Sequence, residues 1–184
     1  GMEVHAVASD GGASARHLAG ELDARRCRPE ALPAGADLLV VATPPEHHVA
    51  LALQGLAAGA RVLVEKPIAP TLAEADRLVA AAGAPGTPTL RCAENLLHAP
   101  AWRELLHRRP ALGTLRHLSV RTLQPPPDWG HFTRALTDGG VLYDLGPHPI
   151  ALVLGVAGEP PAGVSTTLTS SRDDGADDDA EVEV

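Results

Sequence analysis

The residues around Lys66 are the first in the sequence whose types and spacing could transfer a proton. Residues 61–64 (RVLV) are mostly β-branched or apolar, and Glu65, Lys66 and Pro67 follow them directly. Such a run predicts a buried parallel strand, which must end here because proline has no N–H to donate to a neighbouring strand. The sequence therefore predicts a charged pair at the carboxyl end of a buried strand, where open α/β sheets bind their ligands.

Lys66 is also the only lysine in the chain. Lysine and arginine together number fifteen, so the other fourteen basic residues are arginine. An ammonium group can release its proton when its surroundings favour the neutral amine, whereas a guanidinium group in effect cannot. We interpret Lys66 as a candidate proton carrier. The alternative is an ordinary surface lysine, and its position and rarity favour the functional interpretation.

The order of the predicted elements indicates an α/β protein. Strands are predicted at 4–8, 37–42, 61–64 and 89–93, and helices at 13–25, 46–58, 72–82 and 101–109. Thr71 and Glu74 form a capping-box pattern at the start of the third helix. Strands that alternate with helices of this length make a parallel sheet. Residues 113–122 alternate as a half-solvated strand, and 164–168 with 181–184 predict a hairpin around an acidic loop.

Composition limits the class of protein. Hydrophobic residues make up 45% of the 184-residue chain and aromatic residues only 2%, so we expect a globular fold whose core rests on Ala, Val and Leu. The net charge of −8 comes mainly from seven acids after residue 172, and without them sixteen acids face fifteen bases. The absence of a basic stripe argues against nucleic acid as a partner.

No apolar run could span a bilayer, and the two cysteines have no metal-ligand spacing, so we expect a cytoplasmic protein without a metal site.

Four motifs together resemble one known family. They are ATPPEHH at 42–48, VEKP at 64–67, AEN at 93–95 and GGVLYDLGPH at 139–148. In this order and spacing the chain resembles the Gfo/Idh/MocA oxidoreductases from about residue 4 to its end. The resemblance implies a Rossmann domain that binds NAD or NADP (residues 1–95) and a second α/β domain with a mainly antiparallel sheet (96–184). It also implies hydride transfer between nicotinamide and a carbinol carbon of a sugar, a sugar derivative or a cyclitol.

The resemblance implies three catalytic residues. Lys66 is the lysine of the EKP motif, His148 matches the histidine that acts as general acid/base, and Asp144 matches the acid that binds or orients the substrate. An imidazole and a nearby ammonium suit the oxidation of an alcohol, which needs a proton acceptor and a charge to stabilise the alkoxide. On one helix, Asp144 and His148 would share a face. Taken alone, Asp144 could be a helix N-cap and His148 a structural residue. Pro147 and Pro149 predict that the regular helix begins near Pro149.

The resemblance also implies a set of cofactor-binding residues: Ser9, Asp10, Thr43, Pro44, His48, Glu65, Lys66 and Asn95. Ser9 and Asp10 end the strand at which the adenosine ribose is read. An acid there favours NAD, while Ser9 could face the 2′-phosphate of NADP, so both cofactors stay open. We expect His48 to be a structural contact near the cofactor turn rather than an acid or a base.

Two departures from the family pattern leave a second hypothesis open. The G-x-G-x-x-G unit expected before Val4, with its strand between the Val4 and Leu38 strands, is absent, and the chain ends inside the second sheet. The alternative is therefore a non-catalytic remnant of the fold that acts as a binding or assembly subunit. Unpaired sheet edges are templates for pairing with another chain, so we expect a homo-oligomer in either case.

Overall fold

The structure, a computed structural model, describes residues 2–9, 13–31, 35–125, 140–171 and 176–184. The chain divides into two compact units, Gly1–Cys92 (unit 1) and Ala93–Val184 (unit 2). Each unit contains helices and strands of its own. Within the described ranges, no helix combines the length and the apolar character needed to cross a membrane.

Unit 1 alternates strands with helices. In chain order these are β1 (Ala6–Ala8), α1 (Ala13–Glu21), β2 (Arg25–Cys27), β3 (Leu38–Val41), α2 (His48–Ala57), β4 (Arg61–Val64), α3 (Leu72–Ala82) and β5 (Leu90–Cys92). Two short 3-10 helices lie at Pro29–Ala31 and Pro45–His47. The α/β class predicted from the sequence is confirmed.

The described strands of unit 1 form two separate sheets, and the strands within each sheet run parallel. β1 pairs with β2, while β4 pairs with β3 on one side and β5 on the other. The orders β2-β1 and β3-β4-β5 match a doubly wound sheet from which one strand, between β1 and β3, is missing. Among the described residues no strand occupies that place, and β1 and β3 do not join into one sheet.

The strand β2 is not apparent from the sequence pattern, which instead predicts that α1 continues to Arg25. Helix α1 ends at Glu21, and Asp23 then adopts a positive φ of 49°. The three residues of β2 are Arg, Arg and Cys, and both arginines are exposed. The strand forms through its backbone pairing with β1, in which Arg25 lies opposite Ala6. It has no apolar face that a sequence pattern could reveal.

A cluster of buried aliphatic side chains joins α2 and α3 to the β3-β4-β5 sheet. Its members are Val41, Val49, Ala52, Leu56, Val62, Val64 and Leu78. Ala52, Val64 and Leu78 have no exposed surface. Complete burial of a valine or leucine side chain contributes about 1.5–3 kcal/mol. The core of unit 1 therefore consists of Ala, Val and Leu, as the low aromatic content predicts.

Helix α3 begins and ends at the residues that the sequence predicts. The Thr71 hydroxyl oxygen accepts the backbone N–H of Glu74 at 3.3 Å, and the hydroxyl donates to the Glu74 carboxylate at 3.0 Å. In the usual capping box the glutamate accepts from the backbone N–H of the cap residue. Here it accepts from the cap hydroxyl, so the two side chains are linked directly.

The described part of unit 2 contains helices and a hairpin. Its elements are α4 (Pro100–Arg108), α5 (Val141–Asp144), α6 (Pro147–Ala157), β6 (Ser165–Thr169) and β7 (Asp179–Glu183), with 3-10 helices at Asn95–His98 and Arg109–Leu112. β6 and β7 pair antiparallel, with Thr167 opposite Glu181. The predicted hairpin is confirmed.

Two predictions for unit 2 are wrong. Residues 113–122 form no strand, and Leu115 is 44% exposed. Alternation alone is not sufficient, because a strand also needs a partner backbone, and no strand of the described chain pairs with this segment. The regular part of α6 begins at Pro147 and not near Pro149. Both prolines lie in the first turn, where the backbone N–H groups have no partner within the helix and their loss costs little.

Gly55 on α2 provides a test of how closely this helix packs on the sheet. A Cβ at Gly55 would lie 2.6 Å from Cδ2 of Leu39 and 2.9 Å from Cγ2 of Val62. We expect Gly55→Ala to lower the free energy of unfolding by about 1–3 kcal/mol, because one of these side chains must leave its packed position. Urea denaturation measures the change.

The matched control is Gly20→Ala on α1. A Cβ at Gly20 would meet no atom within 4 Å, and alanine has the higher helix propensity. We expect this variant to be as stable as the wild type or slightly more stable. Equal stability of the two variants would contradict the close packing of α2.

Candidate active site

Four of the residues predicted to bind cofactor lie at one edge of the β3-β4-β5 sheet. Thr43 and Pro44 follow β3, and Glu65 and Lys66 follow β4. The parallel ladder is continued beyond β4 by a hydrogen bond in which the Glu65 N–H donates to the Val41 carbonyl at 2.9 Å. Because parallel strands end at the same edge, the turns after β3 and β4 are neighbours. Their roles toward a cofactor stay predictions.

The side chain of His48 connects these two turns. His48 is the first residue of α2 and is fully buried. Its Nδ1 lies 2.8 Å from the Pro67 carbonyl oxygen, and its Nε2 lies 2.8 Å from the Thr43 carbonyl oxygen. Carbonyl oxygens only accept hydrogen bonds, so a neutral ring, with one N–H, donates to one of them at a time, and an imidazolium donates to both. Both ring nitrogens therefore contact backbone oxygens of the two turns, in agreement with the expected role of His48 as a structural contact.

The turn that carries Lys66 also contains a hydrogen bond between two of its own residues. The Lys66 backbone N–H donates to the Glu65 carboxylate at 3.1 Å, and the Lys66–Pro67 peptide bond is cis. Glu65 is exposed, whereas Lys66 is half-buried. The chain's one lysine thus stands in a turn whose backbone is fixed by β4 on one side and by the His48 ring on the other.

Two further observations concern the predicted cofactor site in unit 1. The Thr43 hydroxyl is buried and has no hydrogen-bond partner among the described residues. A buried polar atom without a partner is costly, so this hydroxyl is suited to a polar group of a ligand. Ser9 follows β1 and is half-buried. Asp10 lies outside the described residues.

Asp144 and His148, both in unit 2, do not share a helix face as the sequence predicts. Asp144 is the last residue of α5, and His148 is the second residue of α6. Gly146 separates the helices, and a Cβ there would collide with the backbone oxygen of Leu142. Asp144 is not an N-cap either, because its own N–H donates to the Gly140 carbonyl at 3.0 Å. The spacing of four residues places both side chains on one face only within a continuous helix, and the chain forms two helices here.

The His148 ring meets a carboxylate that the sequence analysis did not select. Nδ1 of His148 lies 2.7 Å from Oε1 of Glu94. The His148 side chain is 17% exposed and the Glu94 side chain 9%. Glu94 belongs to the AEN motif, of which only Asn95 was chosen, and Asn95 is exposed at the start of its 3-10 helix. The signal that could have selected Glu94 is an acidic residue directly after the predicted strand at 89–93.

Comparison with known proteins identifies the family of both units. Residues 1–88 match the model described as "Oxidoreductase family, NAD-binding Rossmann fold". Residues 103–184 match the model of the GFO/IDH/MocA C-terminal domain. The chain belongs to the Gfo/Idh/MocA family. The resemblance expected from the four motifs is confirmed, as is the NAD-type cofactor class.

Individual relatives agree with this assignment. A protein of Amycolatopsis mediterranei (strain S699), described as a UDP-kanosamine synthase oxidoreductase subunit, is 39% identical over 129 residues, 66% of this chain and 35% of that protein. The dTDP-3,4-didehydro-2,6-dideoxy-alpha-D-glucose 3-reductase of Streptomyces antibioticus is 33% identical over 121 residues, 64% of this chain and 37% of that protein.

Among solved structures, GenD2 from gentamicin A biosynthesis in complex with NAD is 32% identical, with a TM-score of 0.79. This likeness covers 98% of the present chain and 54% of GenD2. The chain thus spans about half the length of its solved relative.

The His48 contacts predict a measurable loss of stability. We expect His48→Ala to lower the free energy of unfolding by about 2–4 kcal/mol, because it leaves a cavity and removes the ring that contacts the carbonyl oxygens of both turns. The neighbouring His47 is exposed, so His47→Ala is the control and should stay within about 0.5 kcal/mol of the wild type. If urea denaturation gives the same stability for both variants, the ring does not hold the turns.

Proposed function

We propose that this chain is part of an NAD(P)-dependent oxidoreductase that interconverts a secondary alcohol and a ketone. Unit 1 would bind the dinucleotide, and unit 2 would bind the substrate and contribute to assembly. The observation that carries the proposal is the place of Lys66. It is the chain's one lysine, and it follows β4 in a turn fixed by the buried His48 ring, within a family of oxidoreductases.

The proposed roles follow from the chemistry of an alcohol. On oxidation, the substrate hydroxyl must lose its proton as the carbon–hydrogen bond breaks. His148 would accept this proton, with Lys66 as a second proton carrier, and while it is protonated the Lys66 ammonium would also stabilise the negative charge that develops on the oxygen. Asp144 would bind or orient the substrate. Bound NAD or NADP would supply the acceptor of the hydride. On reduction, His148 would return the proton to the oxygen.

The residues of unit 1 fit part of a dinucleotide. The unpartnered Thr43 hydroxyl and the turn at Lys66 suit the nicotinamide side, at the edge where such sheets bind ligands. The sequence contains no G-x-G-x-x-G, so the described residues offer no such cradle for the pyrophosphate. Ser9 and Asp10 would decide between NAD and NADP.

The names of the relatives narrow the substrate class. One is described as a UDP-kanosamine synthase subunit and another as a reductase acting at carbon 3 of a dTDP-linked sugar. We therefore propose a sugar, a sugar derivative or a cyclitol, and a nucleotide-linked hexose is the first class to assay.

Cofactor titration tests the proposal directly. We expect NADH or NADPH to bind the purified chain with a dissociation constant below the millimolar range, observed as a saturable change in nicotinamide fluorescence. Lys66→Ala and Lys66→Arg should lower turnover by about 100-fold or more with little change in cofactor binding, because neither side chain can replace the amine in proton transfer.

Arg77→Lys, an exposed exchange on α3, is the matched control and should leave both quantities unchanged. If neither cofactor binds at millimolar concentration, the catalytic proposal fails for this chain, and the non-catalytic binding or assembly subunit takes its place. If Lys66→Arg retains full turnover, Lys66 contributes only its charge.

We also propose that the chain forms a homo-oligomer. Among the described strands, β3 has one edge without a partner strand, and its residues Leu38 and Val40 are 40% and 57% exposed. An exposed apolar strand edge is a template for pairing with another chain. Light scattering coupled to size-exclusion chromatography should give a mass above the 19.0 kDa of the monomer. A single monomeric peak would contradict this assembly.

A further inference from the structure

We propose that Glu94 is the positioning residue of His148: its buried carboxylate keeps the ring proton on Nδ1 and so leaves Nε2 to exchange a proton with the substrate. The inference rests on the proposed function for the role of His148, but the Glu94 contact is a property of unit 2 alone. Its basis is the 2.7 Å distance between Nδ1 and Oε1.

The backbone around Glu94 fixes the carboxylate. Glu94 precedes the 3-10 helix Asn95–His98 as its N-cap, and its Oε1 accepts the backbone N–H of Leu96 at 3.2 Å. The residue as a whole is only 7% exposed. An N-cap carboxylate with a bond to the backbone has little freedom to turn away, so Oε1 offers His148 an acceptor in one place.

The backbone of His148 is held by a helix as well. His148 lies in the first turn of α6, and its backbone N–H donates to the Leu145 carbonyl at 3.1 Å. A neutral imidazole carries one proton on one of its two nitrogens. An ionised carboxylate only accepts, so a hydrogen bond to it requires the proton on Nδ1, and the lone pair is then on Nε2. A carboxylate that selects the tautomer and orientation of a catalytic histidine is an established device.

A helix-capping role alone does not explain why a buried carboxylate stands at position 94. Oε2 is buried and has no hydrogen-bond partner among the described residues. Burying an oxygen of a carboxylate without a partner is costly. A shorter cap such as Ser, Thr, Asn or Asp serves a helix start equally well. The longer side chain is explained if its carboxylate also reaches the ring of His148.

Nitrogen-15 NMR of the histidine rings tests the tautomer without any need for turnover. The His148 signals are assigned by their loss in His148→Gln, and spectra are recorded at a pH where the ring is neutral. We expect the Nδ1–H tautomer in the wild type and in Glu94→Gln, whose amide oxygen still accepts. In Glu94→Ala we expect a shift toward the Nε2–H tautomer.

Glu104→Ala is the matched control, because it removes a side chain that is 53% exposed, on α4 of the same unit, and it should leave the His148 tautomer unchanged. A wild-type ring protonated on Nε2 would overturn the proposal, and so would an unchanged tautomer in Glu94→Ala. The wild-type spectrum decides the matter even if Glu94→Ala does not fold.

Kinetic measurements then distinguish a positioning role of Glu94 from a role in stabilising the fold. With an active substrate, Glu94→Ala should lower kcat by about 10- to 100-fold with KM nearly unchanged, and Glu94→Gln should recover most of the loss. In a His148→Gln background, Glu94→Ala should have no further effect on kcat, because the two residues act as one unit. Equal losses in both backgrounds would contradict positioning. Absence of turnover in the wild type would count against the proposed function and leave the NMR result standing.

Discussion

The close contact between α2 and the β3-β4-β5 sheet is the constraint on which the rest of unit 1 depends. Gly55 has no side chain between the helix and Leu39 and Val62, so the helix lies directly on the strands. The same helix begins with His48, whose ring reaches the Thr43 and Pro67 carbonyls. The packing of the helix therefore sets the position of the ring, and the ring sets the backbone of the turn that carries Lys66. In this unit, the geometry of the candidate site therefore depends on the packing of the core.

Much of unit 1 could be predicted because its buried elements have strong patterns. The bounds of β4 and α3 follow from a run of apolar residues ended by proline and from the Thr71–Glu74 cap. β2 could not be predicted in this way, because its stability comes from backbone pairing with β1 and its arginines are exposed. Residues 113–122 show the opposite case. Their alternating pattern is typical of a strand, but they have no partner strand in the described chain. A single sequence reveals which side chains suit a strand, but not which backbone lies beside it.

The sequence selected residues for the candidate site but did not predict the contacts that they make. Motif and spacing selected Lys66, Asp144 and His148, and the structure gives each a defined local setting. The spacing of Asp144 and His148 suggested a shared helix face, but a turn at Gly146 separates α5 from α6. The contact of His148 with Glu94 spans 54 positions along the chain. No local pattern encodes a contact of that separation, although an acid after a strand, in a motif already noted, was a usable hint.

Gly146 has a consequence for how this part of the fold can change. Any side chain there would meet the main chain of Leu142, so the corner between the two short helices tolerates no other residue without a rearranged backbone. Sequence variation in this segment would then have to occur at the residues that flank the corner. A directed-evolution library across this segment would do best to hold position 146 constant and vary its neighbours.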